Sequence, residues 1–129
     1  MKTTVIKFMP EFHELIKNGT KTVTRRLVGI NPYQYGGPGD TVLVDGTDIV
    51  LTINNTHIER IRDITDEEAK REGIVDGGCL NCGNPEPCGC PDPTPDYRDA
   101  FAYVWGRIYG LDSWLNNDFV HVIDFEKRP

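Results

Sequence analysis

The stretch from Asp76 to Asp96 is rich in Gly, Pro, Asn and Cys and carries no apolar periodicity, so it offers no face to a hydrophobic core. The two patterned segments on either side must therefore build the core together. The simplest organisation is one domain over residues 1–129, with 76–96 as an insertion inside it. A chain of 129 residues can bury roughly two-thirds of its unfolded surface, so it needs no staple to be stable. The insertion nevertheless holds all four cysteines, as Cys79-Leu80-Asn81-Cys82 and, five residues on, Cys88-Gly89-Cys90. Two short knuckles of this kind meet the demand of tetrahedral Zn²⁺ for four thiolates at about 2.3 Å. A redox disulfide pair or an iron–sulfur cluster is the alternative use of the same residues. Four thiolates leave no open coordination position, so Cys79, Cys82, Cys88 and Cys90 are expected to hold a structural zinc that staples the insertion. No apolar run is long enough to span a bilayer, and Val5-Ile6 followed by Lys7 is too short for a signal-peptide core. A cytoplasmic protein is expected, in a compartment that disfavours structural disulfides.

Along the first segment, Thr3 to Phe8 reads as an opening strand, and Pro10 stands where a helix begins. Phe12, Leu15 and Ile16 give the helix Glu11 to Asn18 an apolar stripe, and Gly19 is placed to end it. A strand should leave that helix through Lys21 to Arg26. The Gly- and Pro-rich run from Gly29 to Gly39 follows as a loop, then a strand from Thr41 to Asp45. The long segment Ile49 to Arg62 alternates apolar residues and should bulge near Asn54-Asn55. Thr65 with Glu68 makes a capping box for a short acidic helix ended by Gly73. Past the insertion, Tyr97 to Tyr109 reads as an amphipathic helix with Phe101, Val104, Trp105 and Ile108 on one side. Phe119 to Phe125 is the closing strand. Short strands around two to three helices predict an α+β fold, a small curled barrel.

Charge is unevenly spread along this chain. The net charge is −6, with 20 acidic residues against 14 Lys and Arg, which argues against charge-driven coating of nucleic acid. Yet Gly19-Thr20-Lys21-Thr22-Val23-Thr24-Arg25-Arg26 packs three cations and three hydroxyls into eight residues. In an extended segment Thr20, Thr22, Thr24 and Arg26 share one face, and Lys21, Val23 and Arg25 the other. Hydroxyls, a lysine tunable by burial and a bidentate arginine suit a phosphate, a carboxylate or a polarised carbonyl. The plain alternative is a soluble strand whose cations protect an exposed edge.

These motifs together, from the strand with Phe8 and the Lys21-Thr22-Val23-Thr24-Arg25-Arg26 run to Gly39-Asp40, Asp63-Ile64-Thr65 with Glu68-Ala69 and an aromatic last strand, resemble the ASCH domain. The resemblance covers roughly residues 3 to 73 and 97 to 126, and is nearest to versions found in phages and prophages. It implies a PUA-like β-barrel whose cleft binds RNA or a nucleoside-like ligand, here through Thr22, Arg25 and Arg26. One branch of the family consists of amidohydrolases that deacetylate N4-acetylcytidine. Lys21, Thr24 and Glu72 occupy the places of its functional residues, while Arg25 and Leu27 depart from its pattern. On that reading Lys21 is the base, Thr24 or a water is activated, Glu72 relays the proton, and Arg26 anchors the ligand or its oxyanion. As a binding module the same cations would hold a phosphate while Tyr33, Tyr35 or Trp114 stacks a base. A ribonuclease lacks a histidine pair, since His13, His57 and His121 are scattered. A further alternative is a phage interaction protein whose zinc-stapled loop is the contact surface.

Overall fold

The computed structural model describes residues 2–28, 35–74, 78–79 and 95–128. In chain order the elements are β1 (Thr3–Ile6), α1 (Pro10–Lys17), β2 (Val23–Leu27), β3 (Thr41–Val44), β4 (Val50–Arg60), α2 (Asp66–Arg71), β5 (Gly78–Cys79), β6 (Pro95–Asp96), α3 (Tyr97–Tyr109), α4 (Leu111–Leu115) and β7 (Phe119–Lys127). Five strands form one mixed sheet in the order β1-β3-β4-β7-β2, with β1 parallel to β3 and the other pairs antiparallel. A register shift between Ile53 and Asn55 marks the expected bulge and lets β4 curl along both β3 and β7.

The barrel expected from the sequence is not closed. Both β1 and β2 are terminal strands, and among the described residues no ladder joins them. A guanidinium crosses that seam instead, with Arg26 Nη2 donating to the Lys7 carbonyl over 2.9 Å. The expected insertion leaves and returns through a small ladder, Gly78 opposite Asp96 and Cys79 opposite Pro95. Cys82, Cys88 and Cys90, and the side chain of Cys79, lie outside the described residues, so the zinc expectation does too. Among the described residues no group of three or more His, Cys, Asp or Glu could hold a metal ion. None of the described helices is long and apolar enough to cross a membrane.

Alternation along β7 divides the core in two. His121, Ile123 and Phe125 face a cluster with Ile6, Phe8, Ile16, Val42, Val44, Leu51 and Ile53, whereas Val120 and Val122 face Val23, Ile61, Ile64, Ala69, Phe101 and Trp105. Helix α1 covers the first cluster, and α2, α3 and α4 cover the second. The Thr65 hydroxyl accepts the Glu68 N–H at 3.2 Å, which caps α2 as expected. Gly73 ends α2 with φ +105°, and a Cβ there would meet the Phe12 ring and Leu15 at 3.2–3.3 Å. Only glycine lets α2 turn so close to α1. Helix α4 was not foreseen, being a five-residue turn with too little periodicity to read.

Candidate functional site

The segment before β2 is tied to two helix ends. Lys21 N–H donates to the Leu15 carbonyl of α1 at 2.9 Å, and Thr22 N–H to the Arg71 carbonyl of α2 at 2.8 Å. From that anchorage β2 runs out as an edge strand, and the side chains alternate as the sequence predicts. Lys21 and Arg25 turn toward α2, Thr24 and Arg26 toward β1. Because β2 has no outer neighbour among the described residues, both sets reach one cavity at its edge. This cavity of about 340 Å³ is lined by Lys21, Thr24, Arg25, Arg26 and Glu72, with Phe8 and Phe12 on one side and Phe101, Trp105 and Tyr109 on the other. That volume lies in the range of small-ligand sites.

The polar floor is nearly saturated. Lys21 Nζ donates to the Val23 carbonyl at 3.0 Å, the Glu72 carbonyl at 2.7 Å and Glu72 Oε1 at 3.0 Å. Three acceptors match the three protons of an ammonium, and the Glu72 carbonyl belongs to the negative end of α2. Burial pushes the Lys21 pKa below the ordinary lysine range, with Arg26 and Arg25 assisting, although Glu72 opposes the shift through its charge and hydrogen bond. Phe12 adds a ring face 4.8 Å from the ammonium.

Arg25 stands among three carboxylates. Its Nη1 meets Glu72 Oε2 at 2.9 Å, its Nη2 meets Glu59 Oε1 at 2.9 Å and Glu68 Oε2 at 3.3 Å, and its Nε also reaches Glu59 Oε1. Burial disfavours the charge, but Glu72 and Glu59 outweigh it and hold the group above the ordinary arginine value. Both oxygens of Glu72 are thus engaged, one by each cation. Arg26 differs: its Nε donates to Thr24 Oγ1 at 3.3 Å, its Nη2 crosses to Lys7, and its guanidinium lies 4.8 Å over the Phe8 ring. No carboxylate holds it among the described residues. Thr22 turns from the cavity, accepting from Arg71 Nε at 3.1 Å.

The structure therefore brings Lys21, Thr24, Arg25, Arg26 and Glu72 together and leaves Thr22 outside. Tyr33 lies outside the described residues. Tyr35 packs edge-on to His121 with centroids 5.9 Å apart, and Trp114 lies 5.2 Å beneath Arg98, so neither lines the cavity. The sequence analysis missed Glu59 and Glu68 as partners of Arg25, and gave the apolar stripe of α3 no part in the site. Phe101, Val104, Trp105 and Ile108 all face the cavity. The available signal was the row Phe101, Trp105, Tyr109 at i, i+4, i+8, which stacks three rings with successive centroids 6.0 and 4.3 Å apart.

No family model and no curated protein matches this chain. Solved structures do. The hypothetical protein PH0355 superposes with a TM-score of 0.62 at 19% identity, covering 98% of this chain and 100% of that one. Protein PF0455 from Pyrococcus furiosus gives 0.57 at 18% identity, covering 98% and 97%. An ASCH domain from Lactobacillus crispatus gives 0.60 at 13% identity, covering 97% of this chain and 79% of that one. At such identities the likeness is one of architecture, and this chain has the fold of the ASCH domain.

Proposed function

We propose that the cavity at the edge of β2 binds a nucleoside-like ligand, free or as one nucleotide of an RNA. The observation that carries this reading is the combination of aromatic walls with a cationic floor in a cavity of about 340 Å³. Rings on both sides suit a planar base, and Arg26, free of carboxylate partners among the described residues, suits its phosphate or carbonyl oxygens. The likeness in fold to an ASCH domain supports the same reading. The test is equilibrium titration with nucleosides and short single-stranded RNA. Saturable binding that weakens at least about tenfold in Arg26→Ala is expected; absence of saturation by every probe overturns the proposal.

A second reading, hydrolysis of an N4-acetylated cytidine, is favoured by the convergence of Lys21, Thr24 and Glu72 on one cavity. Here Lys21, having released its proton, takes one from Thr24 or a water, the oxygen attacks the acetyl carbon, and Arg26 holds the oxyanion. Glu72 passes the proton to the departing N4 amine. Attack by water leaves acetate and cytidine directly, whereas attack by Thr24 leaves cytidine and an acetyl ester of Thr24, which a water then hydrolyses to acetate and the free hydroxyl. Lys21 Nζ must first give up one of its three hydrogen bonds, which is why binding is the primary reading. Release of acetate from N4-acetylcytidine that vanishes in Lys21→Ala would make hydrolysis the function. The cysteine set carries a separate proposal of one structural zinc per chain. Metal analysis of protein purified without added zinc should return one equivalent, and freely titrating thiols would refute it.

A further inference from the structure

In an antiparallel pair, alternate residues turn their peptide groups toward the partner strand and the intervening ones turn theirs away. The ladder between β2 and β7 pairs Val23 with Asp124 through Leu27 with Val120. At its ends Phe125 N–H donates to the Thr22 carbonyl at 3.0 Å and Val28 N–H to the Phe119 carbonyl at 3.2 Å. Even-numbered residues of β2 therefore face β7, and the N–H and C=O of Val23, Arg25 and Leu27 point from the outer edge of the sheet.

Part of that edge is engaged. The Val23 carbonyl is taken by Lys21 Nζ at 3.0 Å, and Arg26 Nη2 spans the seam to the Lys7 carbonyl at 2.9 Å. Of the β2 residues that line the cavity, Thr24, Arg25 and Arg26, only Arg25 has outward peptide groups. Its guanidinium is engaged by three carboxylates, and its side chain is 1% exposed. The residue as a whole is 4% exposed, so the main chain carries most of the surface that Arg25 shows. No hydrogen bond reaches its N–H or C=O among the described residues. A donor and an acceptor thus stand side by side at the floor of an aromatic-walled cavity.

We propose that the main chain of Arg25 reads the hydrogen-bonding edge of a planar heterocycle seated between the aromatic walls. This rests on the nucleoside-binding reading and specifies how the ligand is chosen. The ligand must present an acceptor beside a donor in the plane of its ring, as the N3 side of a pyrimidine does. A ring lacking the donor leaves the Arg25 carbonyl buried and unpaired, and such omissions discriminate more sharply than apolar contacts do. Arg25 alone among the outward-facing residues of β2 lines the cavity, so the length of edge presented there is one residue, which fits a single ring and is too short to pair with an added peptide strand. Arg25 is thereby a specificity-determining residue whose side chain fixes the strand while its peptide groups make the contact.

The experiment is an amide-resolved NMR titration of the ¹⁵N-labelled full chain with uridine and, in parallel, with N3-methyluridine, in which the ring donor is replaced by a methyl group. Uridine is expected to move the Arg25 amide proton downfield by more than those of Val23 and Leu27, and N3-methyluridine to bind at least about tenfold more weakly. Saturation by both nucleosides with equal affinity and an unmoved Arg25 amide overturns this proposal and leaves the nucleoside-binding reading standing. Equal displacement of the Val23, Arg25 and Leu27 amides also overturns it, since the whole edge is then engaged. Saturation by neither nucleoside overturns this proposal, and the nucleoside-binding reading falls with it only if every probe of its own titration also fails to saturate.

Discussion

The two faces of β2 treat adjacent arginines in opposite ways. On the face toward α2, Arg25 is buried and held by Glu59, Glu68 and Glu72, with Lys21 sharing the last of them. On the face toward β1, Arg26 is only partly buried and meets a hydroxyl, a carbonyl and the Phe8 ring. The clusters beneath them differ as well. The first is mainly aliphatic and sealed around Leu51 and Ile53, whereas the second adds Phe101, Trp105, Tyr97, Tyr109 and Trp114. Aliphatic side chains interdigitate to crystal-like density, while a row of rigid rings on one helix can bound a flat space that no described residue fills. The cavity opens where the two clusters meet at the unpaired edge. One cation is there a structural counter-charge, the other an available ligand group.

Breaking the counter-charge should cost most. Arg25→Met leaves Glu72 buried beside two further carboxylates, and urea denaturation should show a loss of about 3–5 kcal/mol. Arg26→Met should change stability by less than about 1 kcal/mol. Equal losses in the two variants would erase the distinction between the faces. In the sealed cluster, Leu51→Ala should cost about 2–5 kcal/mol by leaving a void, with nucleoside affinity unchanged in the folded fraction. On the aromatic side, Ser113→Ala removes the acceptor of the buried Trp105 Nε1, 3.0 Å away. A loss of about 1–3 kcal/mol is expected, together with altered tryptophan fluorescence. The smallest effect is a slope. Lys21 holds its proton less tightly folded than unfolded, so between the lowered folded pKa and the ordinary lysine value the unfolded chain binds a proton that the native state has released. Stability therefore rises with pH across that window, and Lys21→Met should remove the rise in denaturation curves collected from neutral to alkaline pH.

Local signals were read well where one short-range rule governs them. Pro10 opens α1, Thr65 caps α2, Gly73 ends it, and apolar alternation from Phe119 marks β7. The convergence of Lys21, Thr24 and Glu72 at one cavity followed from motif resemblance, since 48 residues separate the last two and no periodicity links them. The role of Arg25 was not legible. Composition marks it as a cation, but its partners sit on β4 and α2, so only the folded sheet makes it a buried counter-charge. Gly39-Asp40, one of the motifs that carry the resemblance, is a joint in the fold: Asp40 accepts from the Gly37 and Lys2 N–H groups, which hold its carboxyl below the usual range.

By itself the sequence determined the α+β class, most element boundaries and the alternation that sends Arg25 and Arg26 to opposite faces of a strand. These follow from rules acting within a few residues. Tertiary structure alone decided that the sheet stays open, because closure depends on whether β1 and β2 come within hydrogen-bonding distance across the whole fold. From that one outcome come the unpaired edge, the cavity beside it and the main-chain groups of Arg25 that face into it.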